Sequence, residues 1–250
     1  MQAAGRLWAF RARVELEAAA RFEDLGARLR ALDAAPEVCG LAARASEDER
    51  RHHAMCVELA RYFGVEPSSF APAPPMPVGL GRKDPRERLL AEVVAMSCVT
   101  ESLSTALLIE MRREATVARV REVAHEVLRD EVDHARLGWA HLASEVSRGV
   151  DVGWLGPRLP DMLAATVHEE LFGPPEPDPG AALQLEGRGG LRRRTRCDVF
   201  VATMEGVVFR GLERVGVRTD AGRHWLRRAV SAQRGRTEVV GELDERLGQR

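Results

Sequence analysis

The motif Glu-x-x-His occurs at two places that lie 82 residues apart, as Glu49 with His52 and as Glu131 with His134. On an α-helix, residues three apart are separated by about 60° around the axis and by about 4.5 Å along it. The carboxylate and the imidazole of each motif can therefore face the same ion. A pair of such motifs on two helices is what a two-metal site inside a four-helix bundle requires.

Spacing alone does not identify a ligand, because the same motif occurs a third time, at Glu122 and His125. The three copies of the motif differ in their position around the helix axis, that is, in helical phase. At 100° per residue, Glu131 and His134 fall within one apolar stripe, which is formed by Val120, Val123, Val127, Gly138 and Leu142. Glu122 and His125 fall on the opposite face, which predicts a solvated surface pair.

The same count identifies the other inward-facing positions. Glu49 and His52 are bracketed by the apolar positions Val38, Leu41, Ala45, Cys56, Leu59 and Phe63. Glu101 shares its face with Leu90, Val94, Ser97, Ser104 and Leu108. A Glu in an apolar stripe is costly unless its charge is compensated, so these residues are candidate ligands. In the first helix, Glu15 and Glu17 lie at similar angles on either side of the apolar stripe, and periodicity leaves both open.

The connections between the four helical patterns predict their order in space. The links at 34–36 and near 113–116 are short, which makes the helices they join antiparallel neighbours. The segment 64–82 holds five prolines and favours an extended conformation. At about 3.1 Å per residue it can run the length of a bundle, so the third helix starts parallel to the second. Asp84 is the expected cap of that helix and Pro85 its first residue.

Composition limits the fold classes and the functions that this chain can have. A hydrophobic content of 45%, a single Tyr and no alternating β-rich stretch predict an all-α fold. The net charge of -1 and the pI near 6.7 give no overall attraction to nucleic acid or to anionic membranes, and the run of arginines at 192–196 is expected to be a solvated helix start. Four scattered Cys without Cys-x-x-Cys argue against a zinc ribbon or a rubredoxin-type centre. Without a signal peptide or an apolar run near 18 residues, we expect a cytoplasmic protein.

The sequence predicts two parts, a four-helix bundle at 1–148 with a dinuclear metal site and a C-terminal helical extension at 149–250. In the extension, helices are expected near 161–171, 191–215 and 220–247, packed on the bundle or forming a homodimer contact. Its acidic and His residues repeat no ligand pattern, so they are expected to be surface or locally paired: His168, Glu169, Glu170 and Glu205.

The chain resembles the ferritin-like di-iron carboxylate superfamily, in which two helices each give a Glu and two each give Glu-x-x-His. The stretches most similar to a bacterial ferritin-like group of unassigned reaction are 11–15, 48–59, 98–101 and 130–137, and the likeness covers roughly residues 6 to 148. The resemblance implies the metal ligands Glu15, Glu49, His52, Glu101, Glu131 and His134, and thus favours Glu15 over Glu17. It also implies that Asp48 orients His134 and that Asp130 orients His52.

Four carboxylates and two imidazoles suit two iron ions, with manganese or a mixed iron–manganese pair as the other choices, and four negative charges balance two divalent cations. The expected function is activation of O2 by a non-haem di-iron oxidase or oxygenase, with a small organic substrate and an external electron donor. The alternatives are a ferroxidase or iron-binding protein, and a non-catalytic helical bundle with a structural metal.

Overall fold

The computed structural model describes residues 1–68, 83–167 and 184–232, and most of them are helical. Across these residues there is no β-strand, only an isolated bridge between Glu186 and Gly190, which confirms the all-α prediction. The four long helices are α1 (Gln2–Ala31), α2 (Pro36–Tyr62), α3 (Pro85–Glu114) and α4 (Ala118–Ser147).

Helix α2 runs antiparallel to both α1 and α4. Against α1, Ser46 donates a hydrogen bond to the carbonyl oxygen of Ala19 at 3.0 Å, and His53 Nδ1 lies 2.6 Å from that of Ala12, so residue numbers rise on one helix as they fall on the other. Against α4, the ion pairs Arg119–Glu58 and Arg136–Glu37 show the same order.

Helix α3 is antiparallel to α4 as well, because Arg86 pairs with Glu145 near one end and Ser97 approaches Gly138 further along. Since α2 and α3 are both antiparallel to α4, they are parallel to each other, in the direction that a long connection permits. Residues 69–82 of this connection lie outside the described residues. Asp84 caps α3 by accepting a hydrogen bond from the Arg86 N–H at 2.9 Å, and Pro85 begins the helix.

The middle of α3 is a π-helical segment, Val94–Glu101, which the sequence pattern did not reveal. It packs unusually close to α4 at Gly138. A Cβ atom added to Gly138 would lie 2.7 Å from Cys98 Sγ and 2.8 Å from the Cys98 backbone nitrogen. Only glycine therefore allows this approach, and Glu101 ends the segment that the approach positions.

We expect Gly138→Ala to destabilise the protein by about 1–3 kcal/mol, because the new methyl group must push α3 and α4 apart. Gly40→Ala is the matched control. It lies inside α2, where the nearest atom to an added Cβ is the flexible end of Arg44 at 3.5 Å, so helix propensity should raise stability by about 0.5–1 kcal/mol. Urea denaturation measures both, and a stabilising Gly138→Ala would contradict the close packing.

Helix α3 also contains an 18-residue window that is apolar enough to cross a membrane by length and composition, contrary to the expectation that no such stretch exists. Of this window, 61% is buried inside the protein. One such helix is weak evidence for a membrane span, because the core helix of a soluble protein passes the same test.

The C-terminal helices pack on α3. They comprise a 3-10 turn (Gly153–Arg158), α5 (Leu159–Val167), α6 (193–214, with a π-helical segment at Met204–Val208) and α7 (220–232). Phe200, Met204 and Phe209 are fully buried in one apolar cluster with Leu90 and Val94 of α3. This burial makes the C-terminal helices part of the same core as α3.

Several expectations for the extension fall on residues that the structure does not describe. His168, Glu169 and Glu170 are among them, as are residues 233–247 of the last predicted helix. Glu205 is described and pairs with Arg223. The described part of the loop before α6 lies across one end of the bundle, where Trp8 Nε1 donates to the carbonyl oxygen of Arg188 at 2.8 Å.

Candidate metal centre

Four helices bring the six predicted ligands to one place in the interior. They are Glu15 on α1, Glu49 and His52 on α2, Glu101 on α3, and Glu131 and His134 on α4. Glu15 is partly buried, and the other five are buried, with at most 6% of their surface exposed. Their ligand atoms form two groups, in each of which every atom lies within 4.8 Å of the others. Each group could hold a metal ion.

The two groups share two carboxylates. One contains Glu15 and His52, the other contains Glu101 and His134, and both contain Glu49 and Glu131. Glu49 places Oε2 3.3 Å from His52 Nδ1 and Oε1 3.2 Å from His134 Nδ1. Glu131 likewise places Oε1 3.9 Å from His52 Nδ1 and Oε2 3.8 Å from His134 Nδ1. Each shared carboxylate thus offers one oxygen to each half of the site.

The histidine rings are oriented for metal binding through Nδ1. Their Nε2 atoms point away from the cluster, His52 toward Asp130 at 3.1 Å and His134 toward Asp48 at 3.3 Å. An ionised carboxylate only accepts hydrogen bonds, so each Nε2 carries a proton, and Nδ1 is the atom that each ring presents to the cluster. This crossed pairing is the one that the resemblance implies.

One buried atom in the cluster fits a bound cation. Within the described residues, Glu131 Oε2 has no hydrogen-bond partner, and it lies 3.8 Å from Nδ1 of His134. Buried polar atoms are almost always paired, and a carboxylate oxygen facing an imidazole lone pair is the donor arrangement of a metal site. The donor set therefore fits a divalent cation in each half. The role of the six residues as ligands remains a prediction.

The structure separates the two candidates on α1. Glu15 faces the other carboxylates and belongs to one ligand group. The side chain of Glu17 is 29% exposed and lies 3.9 Å from Arg13, one turn away. The geometry therefore groups Glu15 with the other candidates and leaves Glu17 apart, and the role of Glu15 as a ligand stays a prediction. The third Glu-x-x-His copy, Glu122 with His125, is exposed on the outer face of α4.

Without metal, crowding shifts the pKa values of the carboxyl groups apart. Burial first, and then the charge of Glu49, raise the pKa of Glu15 well above its usual value, and raise that of Glu101 to about 7. Burial and the charge of Glu101 also raise the pKa of Glu131. Burial acts on Glu49 too, but hydrogen bonds from His134 and His52 outweigh it and lower its pKa to about 2.

Protons take the place of cations in the metal-free site. Burial alone would lower the pKa of His134, but the hydrogen bond to Glu49 and its charge raise it to about 9. The carboxyls of Glu15 and Glu49 are hydrogen-bonded, as are those of Glu101 and Glu131, and the raised pKa values of Glu15 and Glu131 favour a proton on one carboxyl of each pair. Metal binding must release these protons, because ligands bind in their deprotonated forms.

One residue of the site could not be read from the sequence. Arg51, next to His52, places Nη2 2.8 Å from Asp48 Oδ1 and 2.7 Å from Asp130 Oδ2. Hydrogen bonds from His52 and Arg51 lower the pKa of Asp130 although its partial burial acts in the opposite direction. Arg51 is half exposed, so the apolar stripe of its helix does not mark it as a residue of the site. The Asp-Glu-x-x-His sequence supplies the only local signal.

A surface cavity of about 300 Å³ lies elsewhere, toward the C-terminal end of α4. It is lined by Arg86, Glu145 and Trp154 among others, and by none of the six candidate ligands. Glu145 follows His134 by 11 residues, which is about 16 Å along a helix. This cavity is therefore not the place where a molecule would meet the metal centre.

No model of a known protein family matches the chain, and no curated protein matches it.

Proposed function

We propose that this chain is a ferritin-like carboxylate protein whose dinuclear iron centre activates O2 to oxidise or oxygenate a small organic substrate. The observation that carries the proposal is the sharing of Glu49 and Glu131 between two four-residue ligand groups. A single structural ion has no need of two such groups. Two ions held by common carboxylates are the arrangement that ferritin-like bundles use for redox chemistry.

The helix order supports the ferritin-like part of the proposal. Two antiparallel pairs are joined by one long connection, and α2 and α3 are parallel. The ligand residues are distributed as this fold requires, with one Glu on each of α1 and α3 and Glu-x-x-His on each of α2 and α4.

The donor atoms support iron or manganese. Each half of the site offers three carboxylates and one imidazole, a set that is hard to borderline. Cys56 is buried nearby, but burial raises its thiol pKa and it belongs to neither ligand group, so no soft ligand biases the site toward zinc or copper. When bound, a pair of ferrous ions can supply two electrons to O2, and an external donor would restore them.

The protein's own residues would hold this centre in a defined state. Asp48 and Asp130 keep the protons of the histidines on Nε2, which leaves both Nδ1 atoms directed at the ions. One to two turns from the ligands, toward the N-terminus of α1, the apolar side chains of Ala12, Leu108 and Val127 belong to a buried cluster. They exclude bulk water from that side of the site and favour apolar reactants such as O2.

Anaerobic loading of the full chain with Fe(II), followed by exposure to O2, tests the proposal. We expect about two irons per chain and a new absorbance band in the near-ultraviolet after oxygen is added. An absorbance change after O2 is added, with no more than about two irons bound per chain, would distinguish an oxidase from an iron-storage protein.

Two results would contradict the proposal. Tight zinc binding with no response to O2 would indicate a structural metal. A 24-subunit shell on a sizing column, with uptake of many irons per chain, would indicate ferritin-like iron storage.

A further inference from the structure

We propose that Arg51 couples the two halves of the metal centre, so that the two ions bind as a pair. This inference rests on the proposed dinuclear centre. Arg51 acts through other side chains and touches none of the six candidate ligands in the contacts that the described residues show, so it is a positioning residue.

The geometry forms one continuous network. A single guanidinium nitrogen, Nη2 of Arg51, lies 2.8 Å from Asp48 and 2.7 Å from Asp130. Asp48 then contacts Nε2 of His134 at 3.3 Å, and Asp130 contacts Nε2 of His52 at 3.1 Å. The chain of contacts leads from one candidate metal ligand to the other and connects α2 with α4.

The network transmits the position of one histidine to the other. Each Asp has to stay where it can accept the Nε2–H of its histidine, and Arg51 fixes both Asp residues relative to one atom. When an ion orders His52, Asp130 is held in place, and through Arg51 so are Asp48 and His134. Ordering one half of the site therefore lowers the cost of ordering the other, which is positive cooperativity.

Charge leads to the same result. The four candidate Glu ligands and the two Asp residues carry six negative charges when ionised, and two divalent ions supply four positive charges. Arg51 reduces the remaining excess from two negative charges to one. Without it, the two Asp residues of the network repel each other across the gap between α2 and α4.

The neighbouring Arg50 offers a matched control. It lies on the same helix, and its side chain is 49% exposed compared with 48% for Arg51. Arg50 pairs with Glu23 of α1 at 2.5 Å and with the hydroxyl of Ser46 at 2.9 Å. Its loss removes a similar surface ion pair between helices but leaves both Asp residues connected to Arg51.

Titration of the metal-free full chain with Co(II) tests the proposal. The wild type should fill in pairs, so that at one Co(II) per chain the EPR spectrum is dominated by coupled Co(II) pairs. In Arg51→Gln, the second ion should bind about 10-fold to 100-fold more weakly, as for other groups that orient ligands, and uncoupled Co(II) should dominate at the same ratio. Arg50→Gln should behave like the wild type, and Arg51→Lys should restore part of the pairing.

The outcomes separate the coupling from the proposed function. Pairwise binding in Arg51→Gln, or equal loss of pairing in Arg50→Gln, overturns the role of Arg51 and leaves the dinuclear centre intact. A wild type that takes up no Co(II), Fe(II) or Mn(II) overturns both. Loss of folding in a variant would change its circular dichroism spectrum. Arg51→Lys controls for such a loss, because this substitution keeps both the positive charge and the helix.

Discussion

Replacing Glu131 with alanine is expected to remove both ions from the metal-loaded protein, whereas Glu122→Ala leaves the metal content unchanged. Glu131 belongs to both ligand groups, so its loss opens both at once. His134 belongs to only one group, and His134→Ala should leave at most one ion. Elemental analysis after loading with Fe(II) should therefore give close to zero ions per chain for Glu131→Ala, at most one for His134→Ala and about two for Glu122→Ala.

The exposed motif makes this test sharp, because Glu122 and His125 have the same spacing on the same helix as Glu131 and His134. They differ only in the face of α4 on which they lie. Equal metal loss from both motifs would show that the metal binds without regard to the interior cluster. Retention of two ions in Glu131→Ala would show that this residue is not shared between the sites.

The burial of the candidate ligands could be predicted from the sequence where a single helix carries the information. Glu49, His52, Glu131 and His134 each lie on a helix with a clear apolar stripe, and a residue within such a stripe is buried wherever the helix packs. Periodicity could not decide between Glu15 and Glu17, because the two flank their stripe symmetrically. That choice depends on the position of α2, which places Glu49 beside Glu15.

Features that depend on contacts between two helices could not be predicted from the sequence. Arg51 is half exposed on α2, and its role appears only when α4 brings Asp130 beside it. The π-helical segment of α3 is a second example, since it breaks the regular phase and its position depends on close packing against Gly138. The burial of Phe200 and Met204 against α3 likewise follows from contacts between distant parts of the chain.

The cluster also makes the stability of the metal-free protein depend on pH. The pKa of Glu101 is raised from 4.5 to about 7, so its protonated form stabilises the fold at low pH and that contribution is lost as pH rises through 7. The pKa of His134 is raised from 6.5 to about 9, so its contribution is present below 6.5 and lost as pH rises through 9. Both effects have the same sign, and above pH 6.5, where the lowered pKa of His141 no longer opposes them, the metal-free protein should lose stability up to about pH 9.

Metal binding should reverse this trend, because the ligands must give up their protons to the solvent as the ions bind. Thermal unfolding at pH 6.5 and pH 8.5 should show a falling Tm for the metal-free chain and an increasing gain from metal. The gain should grow with pH because fewer protons have to be displaced. A Tm of the metal-free protein that rises over this range would contradict the crowding of ionisable groups in the site.

Glu101→Gln should stabilise the metal-free protein at pH 8 while it weakens metal binding. A neutral amide removes the cost of ionising a buried carboxyl among other carboxylates, on the order of 3 kcal/mol at about 1.4 kcal/mol per pKa unit. Glu110→Gln is the control, because Glu110 lies on the outer side of the same helix and pairs with Arg113 at 2.6 Å. It should produce no such gain. Urea denaturation with and without Fe(II) measures both effects, and a destabilised metal-free Glu101→Gln would show that this carboxyl is held for folding rather than for binding an ion.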